Sequence, residues 1–114
     1  MRQGYRKFGN KKTEVNGIVF DSKKEVKRYG ELLLLERCKE IYDIKTQVPY
    51  ELIPRQNDVN GKILERPCVY IADFTYSDTG GDFHVEDTKG FRTPDYILKR
   101  KLMLHVLGIR IEEV

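Results

Sequence analysis

The stretch YIADFTYSDTGGDFHVEDTKG, residues 70–90, sets Asp73, Asp87 and Lys89 inside two runs that otherwise alternate as half-buried strands. Strand side chains alternate between faces, so parity decides which of them meet. In FHVEDTKG, Phe83, Val85, Asp87 and Lys89 share one face, and His84, Glu86 and Thr88 share the other. On the preceding run Ile71, Asp73 and Thr75 share a face, opposite Tyr70, Ala72, Phe74 and Tyr76. If the runs pair through the turn at 78–82, Asp73 and Asp87 lie on neighbouring strands on one side of a sheet. Two carboxylates brought together repel, which raises one pKa unless a cation sits between them. Hard oxygen donors at a partly open site favour Mg²⁺ or Mn²⁺ over zinc. Lys89 beside them would neutralise a phosphate or hold an attacking water. The competing reading is structural: an Asp87–Lys89 surface ion pair worth under about 1 kcal/mol, with Asp73 capping a bulge. For the three residues together, with this parity and this turn, chemistry is the stronger reading.

These residues need a scaffold, and 114 residues supply one domain with a modest core. A hydrophobic fraction of 39% and a charged fraction of 34% fit a soluble globular protein with a polar surface. The apolar run LLLL at 32–35 is far shorter than the roughly 20 residues that span a bilayer, so no membrane partner is expected. No apolar signal region marks the chain for export, and a cytoplasmic location is the expectation. Cys38 and Cys68 form no CxxC pair and read as reduced thiols. A net charge of +3 argues little by itself. Its distribution says more, with Arg2, Arg6, Lys7, Lys11, Lys12, Lys23, Lys24, Lys27 and Arg28 gathered early and Lys99, Arg100 and Lys101 late. Such clusters suit a polyanionic partner, although solvated helix faces share the look.

Residues 1–12 lack periodicity and read as a flexible basic arm, with the single domain spanning 13–114. Asn16-Gly17 predicts a hairpin, because a type I′ turn needs positive φ at both central residues. Ser22 with Glu25 three places on has capping-box spacing and starts a helix through about residue 38, burying Val26, Tyr29, Leu32, Leu33 and Leu35. Residues 41–54 read as a strand or two strand pieces, and Asn60-Gly61 as a second turn. A strand from about Ile63 to Tyr76 is broken or bulged at Pro67. A strand at Phe83–Lys89 follows, then a helix with Thr93 as N-cap, Pro94 at its first position and Gly108 as stop. IRIEEV closes the chain as a strand. The order predicts an α+β (mixed α/β) fold, a small mixed sheet flanked by helices.

The acid on one strand, the short turn and the acid-x-lysine closing the next together resemble the PD-(D/E)xK nuclease superfamily. YIADF is the first part, with Ala72 where the name has proline, and VEDTKG the second, with Asp87, Thr88 and Lys89. An additional acid usually sits on a helix before the sheet, where FDSKKEVKRYGELLLLE carries Glu25. From KKTEVNGIVFDSKKE through QVPYELIP to VEDTKGFRT and the final helix, residues 8–114 are similar to small phage-encoded members and to nucleases that cut transposon ends. The resemblance implies a restriction-endonuclease-like core and a Mg²⁺- (or Mn²⁺-) dependent DNA nuclease. The expected form is an endonuclease on structured or branched DNA in phage or mobile-element recombination or replication, in a bacterial host cytoplasm. It implies that Asp73 and Asp87 ligate the metal, that Lys89 orients the hydrolytic water or stabilises transition-state charge, and that Glu25 completes the metal shell. Glu25 has the alternative of a plain capping-box glutamate. Glu86 is a second acid before the lysine, although parity favours Asp87. His84 and Glu86 read as exposed polar residues facing away from the site, and His105 as partly buried. Gln47 is a possible accessory at the edge.

For DNA, Lys23, Lys24, Lys27 and Arg28 lie near Glu25 in the sequence, and Arg92 follows the acid-x-lysine motif. Phosphate contacts of this kind position a substrate without reading its sequence. Tyr5, Arg6, Lys7 and Phe8 of the arm would track a backbone or stack on bases, or form a plain tail. One active site cuts one strand per visit, so double-strand or junction cleavage implies a homodimer. Two other classes compete: a non-catalytic DNA-binding module that retains the fold, and a plain structural or partner-binding domain.

Overall fold

Residues 12–114 are described by a computed structural model. The expected arm contacts at Tyr5, Arg6, Lys7 and Phe8 lie outside the described residues. The chain divides into two compact units, Met1–Ile41 and Tyr42–Val114. In the first, β1 (Thr13–Val15) and β2 (Ile18–Phe20) pair antiparallel with Val15 opposite Ile18. Asn16 and Gly17 between them take φ of 54° and 79°, the left-handed pair that a type I′ turn requires. Helix α1 (Lys23–Arg37) starts where Ser22 Oγ accepts from the Glu25 backbone N–H at 3.2 Å. Its buried residues are Glu25, Tyr29 and Leu32, at the i, i+4, i+7 spacing of one helix face. The expected stripe shifts accordingly, since Val26, Leu33 and Leu35 are only half-buried. Phe20 from the hairpin is fully buried and packs on Tyr29 with ring centroids 5.0 Å apart.

The second unit is built on a mixed sheet in the order β3 (Ile41–Ile53), β6 (Cys68–Asp78), β7 (Phe83–Asp87), β8 (Glu112–Glu113). β6 and β7 are antiparallel, and β7 and β8 are parallel. The α+β class expected from the sequence is the observed one. β4 (Gln56–Asn57) and β5 (Ile63–Glu65) form a separate two-stranded ribbon. The expected break at Pro67 falls between β5 and β6, where a residue without an N–H cannot extend a ladder.

The two hairpin loops of this unit are made alike. Asp58 N–H donates to Lys62 O and Gly61 N–H to Asp58 O, while Asp58 Oδ1 accepts from the Asn60 and Lys62 backbone. Asp78 N–H likewise donates to Asp82 O, Gly81 N–H to Asp78 O, and Asp78 Oδ1 accepts from Asp82. Positive φ is confined to Gly61 (86°) and Gly81 (94°) in these loops. Asn60-Gly61 is therefore not a second type I′ pair. The aspartate side chain closes the loop, and only its last residue needs glycine.

Helix α2 (Pro94–Leu107) covers this sheet, with Thr93 Oγ1 accepting from the Tyr96 N–H at 3.1 Å. Tyr96 and Met103, two turns apart, join Leu52, Tyr70, Ala72, Val85 and Ile111 in the core. The stripe is narrow, and Leu98, Leu104 and Val106 stay exposed. His105 is exposed too, against the expected partial burial. Cys38 and Cys68 are free thiols. No helix among the described residues is long and apolar enough to cross a membrane. Because the Thr93 cap fixes the turn that carries Tyr96, Thr93→Ala is expected to cost about 1 kcal/mol, read as a lowered urea midpoint with an unchanged slope.

Candidate active site

The β6–β7 register runs from Ser77 opposite Phe83 to Phe74 opposite Glu86. Asp73 and Asp87 lie just past this paired segment on neighbouring strands, and the charge of Asp73 acts on Asp87. Asp73 Oδ2 accepts from both the Thr88 backbone N–H at 2.8 Å and Thr88 Oγ1 at 2.9 Å, tying the end of β7 to β6. Asp87 is 2% exposed. Its Oδ2 accepts from the Tyr70 hydroxyl at 2.6 Å. Its Oδ1 is buried and takes no hydrogen bond, and Lys89 Nζ stands 3.7 Å from it. The same ammonium lies 4.8 Å from the centre of the Tyr96 ring, a separation at which a cation is drawn to the π face. Asp73, Asp87 and Lys89 thus gather within one unit.

Burial pushes the Asp87 carboxyl above the usual aspartate range, and the charge of Asp73 adds to this. The Tyr70 hydrogen bond and Lys89 pull it back only in part. The sequence led us to expect a raised carboxylate from repulsion alone; desolvation is the larger cause. Burial, then the bond to Asp87, raises the Tyr70 hydroxyl far above ordinary tyrosine, so it remains a donor at neutral pH.

One expected face assignment is corrected. Unbroken alternation groups Tyr70 and Ala72 with Phe74 and Tyr76. Instead both share a core with Val85, and the Tyr70 hydroxyl reaches Asp87, on the other side of the paired segment. The strand changes phase near Asp73, whose carboxylate is engaged across to Thr88. The bulge-capping and chemical readings of Asp73 meet in one residue.

Glu86 and His84 lie on the opposite face of the β6–β7 pair. Glu86 is 1% exposed and accepts from the Tyr76 hydroxyl, so it is buried where an exposed residue was expected. His84 stacks on Tyr76 at 4.8 Å between centroids. Its Nε2 lies 2.7 Å from Asp78 Oδ2 and its Nδ1 2.7 Å from Glu112 Oε2. The bond to Asp78 first, then that to Glu112, raises its pKa. Gln47 is exposed on β3 with φ of 54°. Glu25 belongs to the first unit, 7% exposed in the first turn of α1. Lys23, Lys24 and Lys27 are exposed on α1, while Arg28 Nη1 is 2.9 Å from Glu31 Oε1. Among the described residues no three or more His, Cys, Asp or Glu cluster as a metal-binding group.

Arg92, expected to face phosphate, also holds Glu113 Oε1 through Nε at 2.9 Å and Nη2 at 2.6 Å. Glu113 Oε2 accepts from the Tyr96 hydroxyl at 2.6 Å and Arg100 Nη1 at 3.0 Å. Glu113 is the register partner of Asp87 across β7 and β8. Sequence reasoning missed it. The available signal was the acid pair in IRIEEV, since alternation sends one of two adjacent glutamates to the face of Asp87. Arg92 above all, then the Tyr96 hydroxyl, holds the Glu113 carboxyl down to about 2. A depressed carboxylate stabilises the fold above its unfolded pKa, and that contribution is lost as pH falls through the folded value. Stability is therefore expected to drop as pH falls from about 4.5 towards 2. Glu113→Gln should flatten that part of a urea-midpoint-against-pH curve.

No curated protein and no solved structure matches the chain. A family model described as "Protein of unknown function (DUF1064)" matches residues 5–109. That is nearly its whole length, and the chain belongs to this family.

Proposed function

We propose that the chain is a metal-dependent DNA nuclease of the PD-(D/E)xK kind, hydrolysing phosphodiester bonds in structured or branched DNA. Asp87 Oδ1 carries the reading: a buried carboxylate oxygen with no hydrogen bond, 3.7 Å from an ammonium and one strand from Asp73. Leaving a buried acceptor unmet costs about 1–3 kcal/mol, more for a charged group. The Lys89 ion pair offsets part of that cost, and a divalent cation would offset more.

The donor set fits a hard divalent cation, because Asp73 and Asp87 offer oxygen alone. Both hydrogen bonds to Asp73 fall on Oδ2, and the one to Asp87 falls on its Oδ2. Mg²⁺ or Mn²⁺ held there would lower the pKa of a bound water and neutralise phosphate charge. Tyr70 and Thr88 hold the two carboxylates in place. Lys89 orients the attacking water or stabilises charge that develops on the phosphate. Lys23, Lys24 and Lys27 supply phosphate contacts in this reading, and a homodimer serves two-strand or junction cleavage. A bacterial host cytoplasm is its setting.

The absence of a three-residue metal-binding group among the described residues favours a second reading, a DNA-binding module that retains the fold without catalysis. Incubating the protein with plasmid, single-stranded and four-way-junction DNA in Mg²⁺, Mn²⁺ or EDTA separates the two. The nuclease reading expects cleavage with either metal, none in EDTA, and a loss of about 100-fold or more for Lys89→Ala. Binding without cleavage in any metal would leave the module.

Asp87→Asn tests the same site through stability. A raised aspartate stabilises the fold fully below its unfolded pKa of about 3.9, and that contribution is lost as pH rises through the folded value. As pH rises the native protein therefore loses that contribution and comes to bear the cost of the buried charge. Asp87→Asn is expected to melt several degrees higher at neutral pH, with the gap closing towards pH 4, and to have no cleavage activity. Differential scanning calorimetry across that range measures the stability half.

A further inference from the structure

The ribbon formed by β4 and β5 belongs neither to the main sheet nor to the core. Every residue from Arg55 to Pro67 is exposed except half-buried Asp58. Val59 at its tip is 101% exposed, and the neighbours Ile63 and Leu64 are 51% and 60% exposed. Adjacent strand residues point to opposite faces, so both faces of the ribbon are open. An isolated two-stranded hairpin is marginal in water, yet this tip is tightly made, with the Asp58 carboxylate and backbone closing the loop through four hydrogen bonds. The ribbon carries Arg55, Lys62 and Arg66 against Asp58 and Glu65. The Asp58 carboxylate keeps its charge but is turned to the loop N–H groups through Oδ1, so the ribbon carries a net +1, with three cations and one acid facing outward.

We propose that this ribbon is a docking element for duplex DNA, with Arg55, Lys62 and Arg66 on the phosphates and Val59 entering a groove. A major groove about 12 Å wide admits a two-stranded ribbon. A second copy of the chain is the poorer occupant. A twofold contact presents the same patch from both sides, so it would set one net-positive patch against another. The proposal shares its DNA partner with the nuclease reading but needs no catalysis.

Fluorescence anisotropy of a labelled blunt duplex, titrated in EDTA over a salt series, is the test, with the single strand alongside. The triple variant Arg55→Gln, Lys62→Gln, Arg66→Gln is expected to flatten the plot of log affinity against log salt by about 2–3, near 0.9 per phosphate contact. Its duplex Kd should rise about tenfold or more at 0.1 M salt, and that for the single strand less. Val59→Asp, a fully exposed substitution that leaves the fold intact, should weaken duplex binding as well. Unchanged affinity and slope would overturn the proposal. So would equal losses on both strand forms, a wild-type protein that binds no duplex, or a variant whose mass in light scattering shows a lost dimer. Ribbon-dependent binding by a protein that cleaves nothing in any metal supports this proposal while removing the nuclease reading.

Discussion

The hydrogen bond from the Tyr70 hydroxyl to Asp87 organises the second unit. It fixes one carboxylate oxygen at 2.6 Å and leaves the other buried without a donor, next to Lys89. Tyr70 is also a core residue, packed with Ala72, Val85 and Met103. The apolar packing that stabilises the sheet therefore also places a buried carboxylate oxygen that has no hydrogen-bond donor. A site held on strands by core residues is rigid, as the proposed ligation of a small cation would demand.

Glu113 extends the arrangement across β8. Asp73, Asp87 and Glu113 lie on three neighbouring strands, with Glu113 the register partner of Asp87. Each has a different environment. Asp73 is tied to Thr88, Asp87 is desolvated, and Glu113 is neutralised by Arg92 and Arg100. The same kind of group is thus driven upward in pKa at Asp87 and downward at Glu113. In the proposed reaction Asp87 and Asp73 hold the metal. Glu113 instead anchors Tyr96, over whose ring Lys89 lies. The other face of β6 and β7 has its own polar pairs, Tyr76 with Glu86 and His84 with Asp78 and Glu112. These satisfy the buried acid that the sequence places beside the motif, and they keep Glu86 apart from Asp87.

Local chemistry made most of the elements legible. Asn16-Gly17, Ser22, Pro67, Thr93 and Gly108 each act through their own backbone or the next turn, so adjacent letters suffice to read them. The convergence of Asp73, Asp87 and Lys89 was legible for the same reason, since period-two alternation and one short turn connect them. The second Asn-Gly marks its turn as expected, but the neighbouring Asp58 side chain closes that loop differently from a type I′ turn. Parity failed at Tyr70 because a phase change in a strand leaves no mark in the pattern of residue types.

By itself the sequence determined the order of helices and strands, the pairing of β6 with β7 and the grouping of two acids with a lysine. Each follows from contacts between residues close along the chain. Tertiary structure alone decided that Asp87 is stripped of water and held by Tyr70, and that Arg92 belongs to Glu113. It also decided that the β4–β5 ribbon stands exposed. Those outcomes depend on which distant segments cover a group, and burial of that kind is a property of the folded neighbourhood rather than of any local pattern.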